Sequence, residues 1–275
     1  MYWLLIIMLL LAIYLLLAPR FAAWFYRPLL FHPEPLQNDA EAPVIEGIQG
    51  KPINFAQADG HKLHAWYFEY PQAEYTVLVS HGNRGNIATH DYLIAALLKH
   101  GVSVFMYDYC GYGASSGLPD LSTVTSNAEA AYDYLVKERL LPPDKLILYG
   151  ESLGAAVSAH LATVRQAKAI IFQSGFSSLR KIAREKLPFV GLYPKVFFPQ
   201  PPLDAVKSFK NIRIPVLVVH GLQDMLVPFH HAQAVFAAAA EPKQLVSFET
   251  GAHRDCILAE TDRFNAAMQQ FLKTI

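Results

Sequence analysis

The sequence predicts an α/β fold: a mostly parallel sheet of eight strands with helices on both faces, preceded by one transmembrane helix. Three observations predict it. Short apolar runs alternate with longer helical patterns from about residue 50 to the end. Several runs, Val77-Leu78-Val79 and Val216-Leu217-Val218-Val219 among them, are apolar on both faces, as strands inside a parallel sheet have to be. And of residues 1–19 all but Pro19 are apolar.

That apolar stretch comes first along the chain. Nineteen helical residues span roughly 28 Å, about one hydrocarbon core, so residues 1–19 are expected to be a membrane anchor. A cleaved signal peptide fits less well. No Lys or Arg precedes the run, and no small-x-small pattern follows it. Arg20, Trp24, Phe25, Tyr26, Arg27 and Phe31 come next, a mixture suited to a membrane–water boundary. Both arginines lie on the C-terminal side of the run, which places the following domain in the cytoplasm as part of a single-pass membrane protein. Residues 20–50, with Pro33, Pro35, Pro43, Gly47 and Gly50, read as a juxtamembrane linker.

Residues 51–275 form the globular domain. Strands are predicted over 53–56, 62–69, 75–80, 102–108, 145–149, 168–173, 214–220 and 244–249. Helices are predicted over 89–100, 122–139, 153–163, 229–240 and 257–273. Residues 176–212 break the rhythm with five prolines and several aromatics. A connection that long usually covers a binding site, so it is expected to be a small cap, with Phe189, Leu192, Phe197 and Phe198 as substrate contacts. The bland alternative is a passive crossover with one helix near Leu179–Lys186. Hydrophobic residues make up 53% of the chain, which excludes disorder. Twenty-three basic and 23 acidic residues leave no basic field for nucleic acid. Two cysteines, Cys110 and Cys256, make no disulfide framework.

The chemistry is carried by Gly150-Glu151-Ser152-Leu153-Gly154, between an apolar strand and an Ala-rich helix. A nucleophile elbow needs glycines two residues either side of the serine, because so tight a turn leaves no room for Cβ atoms. Gly113-Ala114-Ser115-Ser116-Gly117 matches the same pattern, but no apolar helix starts at Ser115, so it reads as a loop. A serine needs a base, and the base an orienting acid. Asp224 follows the strand at 214–220, and His253 follows the strand at 244–249, so all three groups fall at one edge of the sheet. Asp204 is the competing acid. The other histidines sit mid-helix, lead into a helix or are scattered. No histidine pair has metal-helix spacing with carboxylates, so no metal or other cofactor is expected. Donors for an oxyanion are expected from the backbone N–H groups of Leu153 and Asn83, the latter in His81-Gly82-Asn83-Arg84-Gly85-Asn86.

Taken together, His81-Gly82-Asn83, the Asp108-Tyr109-x-Gly-Tyr-Gly loop, Gly150–Gly154, His220-Gly-x-x-Asp224 and Gly-x-His253 resemble the α/β-hydrolase superfamily. More narrowly, they resemble its membrane-anchored domain proteins, which are similar to serine aminopeptidase-like hydrolases and include protein depalmitoylases. The resemblance implies the α/β-hydrolase fold with a Ser152–Asp224–His253 triad. Cys110 stands where that loop usually has Arg, so any ion pair made by the Arg is lost here. Without an elbow of its own, Cys110 reads as structural.

The expected function is a membrane-anchored serine hydrolase that cleaves carboxylic ester or thioester bonds through an acyl-enzyme. Its expected substrate is a small-molecule or lipid-like acyl compound, and it uses no cofactor. The fold also hosts peptide and amide hydrolases and non-catalytic, membrane-tethered binding proteins. A complete triad argues against the last of these.

Overall fold

Eight short strands come together in one sheet, whose six inner strands are buried on both faces while the edge strand at 51–56 is mostly exposed. The computed structural model describes residues 2–36, 41–253 and 255–275. Residue 1 of the expected anchor and residues 37–40 of the expected linker lie outside them. The strands are β1 (Lys51–Ala56), β2 (Lys62–Phe68), β3 (Thr76–Ser80), β4 (Ser103–Tyr107), β5 (Leu146–Glu151), β6 (Ala169–Gln173), β7 (Val216–Gly221) and β8 (Lys243–Phe248). Across the sheet their order is β8-β7-β6-β5-β3-β4-β2-β1. All neighbours from β8 to β4 are parallel. The sheet is mixed, however, because β2 runs antiparallel to both β4 and β1.

The helices are α1 (Tyr2–Leu16), α2 (Ala23–Leu30), α3 (Asp91–Leu98), α4 (Leu121–Asp133), α5 (Leu153–Val164), α6 (Leu179–Lys186), α7 (Ala205–Phe209), α8 (His230–Ala238), α9 (Cys256–Ala259) and α10 (Thr261–Thr274). Alternate strand residues face opposite sides. Val77, Val79, Ile147 and Val219 meet Leu93, Leu97, Phe264 and Met268 of α3 and α10. Leu78, Leu148, Ile170 and Phe172 meet α4, α5, α7 and α8 on the other face. From β3 the chain goes to β4 on one side, then returns by α4 to β5 on the other. The sheet therefore reverses its winding at β3 and β5, where open α/β sheets leave a crevice at the strand ends.

The expected span over residues 1–19 is helical only over Tyr2–Leu16. Among the described residues, no helix is long and apolar enough to cross a membrane. Helix α1 has 15 residues, about 22 Å, against about 30 Å of hydrocarbon. A turn follows at 17–21, because a proline at position 19 disfavours helix in the residue before it. Tertiary contacts hold that turn. Tyr14 stacks on Tyr193 with ring centroids 4.6 Å apart, and Arg20 N–H donates to Phe197 O. Ala18 is fully buried against Val190, Tyr193 and Phe198.

The expected linker is also more than a spacer. Residues 23–30 form α2, and His32-Pro33 pair in parallel with Arg84-Gly85. The segment between β6 and β7 holds α6, two 3-10 turns (Pro188–Leu192 and Lys195–Phe197) and α7.

Candidate active site

β5 ends at Glu151 and α5 starts at Leu153, which leaves one residue, Ser152, to reverse the chain. Its φ is +56°, a left-handed value rare for a side chain-bearing residue. The flanking glycines make the turn sterically possible. A Cβ on Gly150 would overlap Gly154 O, and one on Gly154 would overlap Ser80 O. The result is a serine, mostly buried, at the N-terminus of an Ala-rich helix.

Two further loops converge on it. Ser152 Oγ lies 2.9 Å from His253 Nε2, and His253 Nδ1 lies 2.6 Å from Asp224 Oδ2. An ionised carboxylate accepts, so Nδ1 carries the proton and Nε2 is left to accept from the serine hydroxyl. The other oxygen of Asp224 accepts N–H bonds from Leu226 and Val227 at 2.9 and 2.7 Å. His220, four residues earlier, donates from Nε2 to Val227 O and sits 3.3 Å from Asp224 Oδ2. The sequence named His220 only as part of a pattern. Its place beside the acid follows from the strand–turn geometry that returns Asp224 toward the end of β7.

Burial alone would raise the pKa of Asp224. Hydrogen bonds from His220 and His253, the charge on His253 and the Val227 N–H outweigh burial and hold the carboxyl well below its usual 3.8. A carboxyl depressed in the folded state stabilises the fold above its unfolded pKa, and that contribution is lost as pH falls through the folded value. At pH 7 the wild type is therefore expected to melt above Asp224→Asn. The gap is expected to close as pH falls from about 4 towards 2, read by scanning calorimetry. A gap that stays constant over that range would show that the carboxylate charge is not its source.

The loop 81–86 forms the facing wall, and an extensive set of bonds fixes it. Asn83 O accepts from His32 N–H and the Tyr112 hydroxyl, at 2.9 and 2.7 Å. Asn83 Nδ2 donates to Leu30 O, and the Tyr109 hydroxyl donates to His81 O. Buried Asp108 accepts from Ile87 N–H. Among the described residues, the backbone N–H groups of Asn83 and Leu153 make no backbone hydrogen bond, and both residues line the cavity with Ser152. Burial, and then the charge of His90, push the pKa of His81 well below normal, so this histidine stays neutral and shapes the loop.

The cavity holds about 240 Å³ and is walled largely by apolar side chains. Of the four expected substrate contacts, Phe198 lines it. Phe189 and Leu192 are instead exposed, and Phe197 packs edge-on against Tyr14 and Phe21. The physical reason is the backbone: two 3-10 turns at 188–197 send those side chains outward. The cap's wall comes instead from Leu179, Ile182, Ala183, Leu187 and Val190, the inner face of α6 and the turn after it. Another wall comes from Pro19, the last residue of the expected anchor, and from Tyr26, Leu29 and Leu30 of the expected linker.

The rejected candidates have other partners. Ser115 is buried, accepts from His64 N–H and donates to Asp108 O. Asp204 caps α7 through Lys207 N–H. Cys110 sits in a polar cluster with Gln57 and Asn127, and burial pushes its pKa up. Burial pushes the Cys256 thiol up to about 12. Among the described residues, Glu185, His230 and His231 form a group able to hold a metal ion. There, however, Ser177 N–H donates to His231 Nδ1, which leaves the Nε2 proton for Glu185.

Comparisons with known proteins bear on the family and the fold. A family described as serine aminopeptidase, S33, matches residues 71–200. The uncharacterized protein YfhR of Salmonella typhi is 32% identical over 248 residues, 82% of each chain. The alpha/beta hydrolase domain-containing protein WAV2 of Arabidopsis thaliana is 32% identical over 234 residues, 78% of this chain and 76% of that one. This chain belongs to the alpha/beta-hydrolase family. The esterase Pf2001 of Pyrococcus furiosus superposes with a TM-score of 0.73 over 89% of this chain and 98% of that one, at 19% identity. At that identity the likeness concerns the fold. Family membership makes the chain a hydrolase and leaves the bond it cleaves to the site's own chemistry.

Proposed function

We propose that this chain is a serine hydrolase that cleaves carboxylic ester or thioester bonds of apolar acyl compounds. One observation carries the reading: an unbroken hydrogen-bonded chain from Asp224 through His253 to Ser152, opening into an apolar cavity. Ser152 Oγ attacks the acyl carbonyl while His253 Nε2 takes its proton. Asp224 holds the imidazole and stabilises its charged form. The N–H groups of Leu153 and Asn83 receive the developing oxyanion. His253 then gives its proton to the leaving oxygen or sulfur, and later takes one from the water that releases the acyl group. Among the described residues, the cavity lining includes one charged side chain, Lys186, and no acidic one. An aminopeptidase needs an acid for the substrate's ammonium group, so the lining favours esters and thioesters over peptides.

We further infer that α1 inserts into lipid. Its exposed residues are apolar all round, and of its fifteen residues Tyr14 alone is half-buried, against the cap. A helix of that kind needs an apolar environment from elsewhere. Its junction with the cap would hold the cavity near the bilayer.

The test is hydrolysis of p-nitrophenyl esters from acetate to palmitate. Each buried CH₂ contributes about 0.8 kcal/mol, so kcat/KM is expected to rise by up to about 15-fold per two-carbon step until the cavity is full. Ile182→Trp, which fills the cavity, is expected to shift the optimum to shorter chains. A flat series or a sharp preference for acetate would remove the apolar-substrate reading. No turnover of any ester would favour the non-catalytic binding reading.

A further inference from the structure

Chain-wide charge balance hides a local imbalance. The chain has 23 basic and 23 acidic residues, yet residues 176–212 carry seven basic side chains and two acidic ones. Both acids line the groove described below, against four cations, and each already has partners of its own. Glu185 is held between His230 and His231, at 3.1 and 3.0 Å, and Asp204 is spent capping α7.

Helix α6 sorts its residues by face. Leu179, Ile182, Ala183 and Lys186 face the acyl cavity. Arg180, Lys181 and Arg184 face outward into a second groove of about 480 Å³, which Lys195 joins from the following turn. Lys181, Arg184 and Lys195 are exposed, and none makes an ion pair among the described residues.

The neighbouring surface is apolar. In the turns beside Lys195, Leu192 is 73% exposed and Val196 64%. Phe21 and Trp24 are also exposed, and both lie just after α1. The two surfaces are joined covalently and by contact: the Tyr14 hydroxyl donates to Leu192 O, and the Tyr193 hydroxyl donates to Tyr14 O. Unpaired cations beside exposed aromatic and aliphatic groups match one kind of partner. Nucleic acid or an acidic protein would satisfy the charge and leave the apolar side chains in water. A bilayer with anionic headgroups satisfies both.

We propose that the outer face of the cap docks on an anionic lipid surface, with Lys181, Arg184 and Lys195 against the headgroups. This rests on the reading that α1 inserts into lipid. It adds that the cap supplies a second, charge-dependent hold, and that this hold keeps the cavity's cap wall against the surface. Two weak signals together give firm attachment where one alone gives a reversible one.

The experiment is flotation of the full chain with phosphatidylcholine vesicles and with vesicles of phosphatidylcholine and phosphatidylglycerol, at 0.15 M salt. Partitioning onto the anionic vesicles is expected to be at least about tenfold stronger, a gain lost at 0.5 M salt. The variant K181Q/R184Q/K195Q is expected to bind phosphatidylcholine as the wild type does and to lose the tenfold gain. The charge-preserving K181R/R184K/K195R is expected to keep it. Hydrolysis of p-nitrophenyl acetate in solution should be unchanged in both, which reports an intact fold. The proposal is overturned if the wild type shows no anionic gain, if the gain survives high salt, or if the glutamine variant keeps it. Equal affinity for duplex DNA at 0.15 M salt would make the patch a general polyanion site and would also overturn it. Failure to bind phosphatidylcholine, with the anionic gain intact, overturns the α1 reading and leaves the cap proposal standing. The salt arm uses the wild type alone, so the test holds even where a variant fails to fold.

Discussion

Ser152→Ala is expected to abolish covalent labelling by a fluorophosphonate probe and to lower kcat for a p-nitrophenyl ester by about 10⁴-fold or more. KM should move little, because the apolar walls that hold the acyl group are left intact. The residue loses one atom and keeps its backbone, so the elbow's strain at φ +56° is unchanged and the fold should survive. What disappears is the atom 2.9 Å from His253 Nε2. Adding His253→Ala should cost little more, because the base has nothing left to activate. Ser115→Ala supplies the contrast. That hydroxyl bridges His64 N–H and Asp108 O on the far side of loop 81–86, so its loss should cost about 1 kcal/mol of stability with labelling intact. Labelling lost in Ser115→Ala and kept in Ser152→Ala would overturn the choice of nucleophile. Labelling kept in both would overturn the mechanism.

The residues of this constellation were legible in the sequence because each is set by local rules. Ser152, Asp224 and His253 each follow an apolar strand within a few residues, and parallel strands end at the same edge. The register of β3 to β8 then brings residues 101 positions apart into hydrogen-bond contact. The cavity walls were not legible, because they depend on contacts between segments with no pattern in common. Leu29 and Leu30 reach the site through the pairing of His32-Pro33 with Arg84-Gly85, a two-residue ladder that no periodicity announces. Phe189, Leu192 and Phe197 looked like an apolar lining by composition alone. Only the 3-10 geometry of their turns decides that they point elsewhere. The N-terminal helix shows the same limit: eighteen apolar residues in a row suggest one long helix, yet Pro19 and the docking of Tyr14 on Tyr193 end it at Leu16.

Gly154→Ala is expected to lower the melting temperature by about 10 °C, on the order of 3 kcal/mol of overpacking in a domain of this size. The sign is what makes this informative. Gly154 lies in the first turn of α5, and in a helix alanine is favoured over glycine by about 1 kcal/mol. If propensity decided, the variant would be more stable than the wild type. Packing decides otherwise, because the new Cβ would sit against Ser80 O and His81 O, backbone atoms of β3 and the loop after it. Neither can swing aside as a side chain would. Helix α5 must therefore lift away from β3, carrying Ser152 and the Leu153 N–H with it, while the Asn83 N–H on the opposing loop shifts in turn. A loss of kcat/KM by roughly 10²-fold should accompany the loss of stability, since misplacing groups by an ångström has that effect. Gly82→Ala separates this from general intolerance of the elbow region. Its Cβ would meet nothing closer than Ser152 Cβ at 3.7 Å, an ordinary contact, so its melting temperature should match the wild type. A Gly154→Ala variant as stable as the wild type would mean that the helix does not approach β3 as closely as the elbow requires.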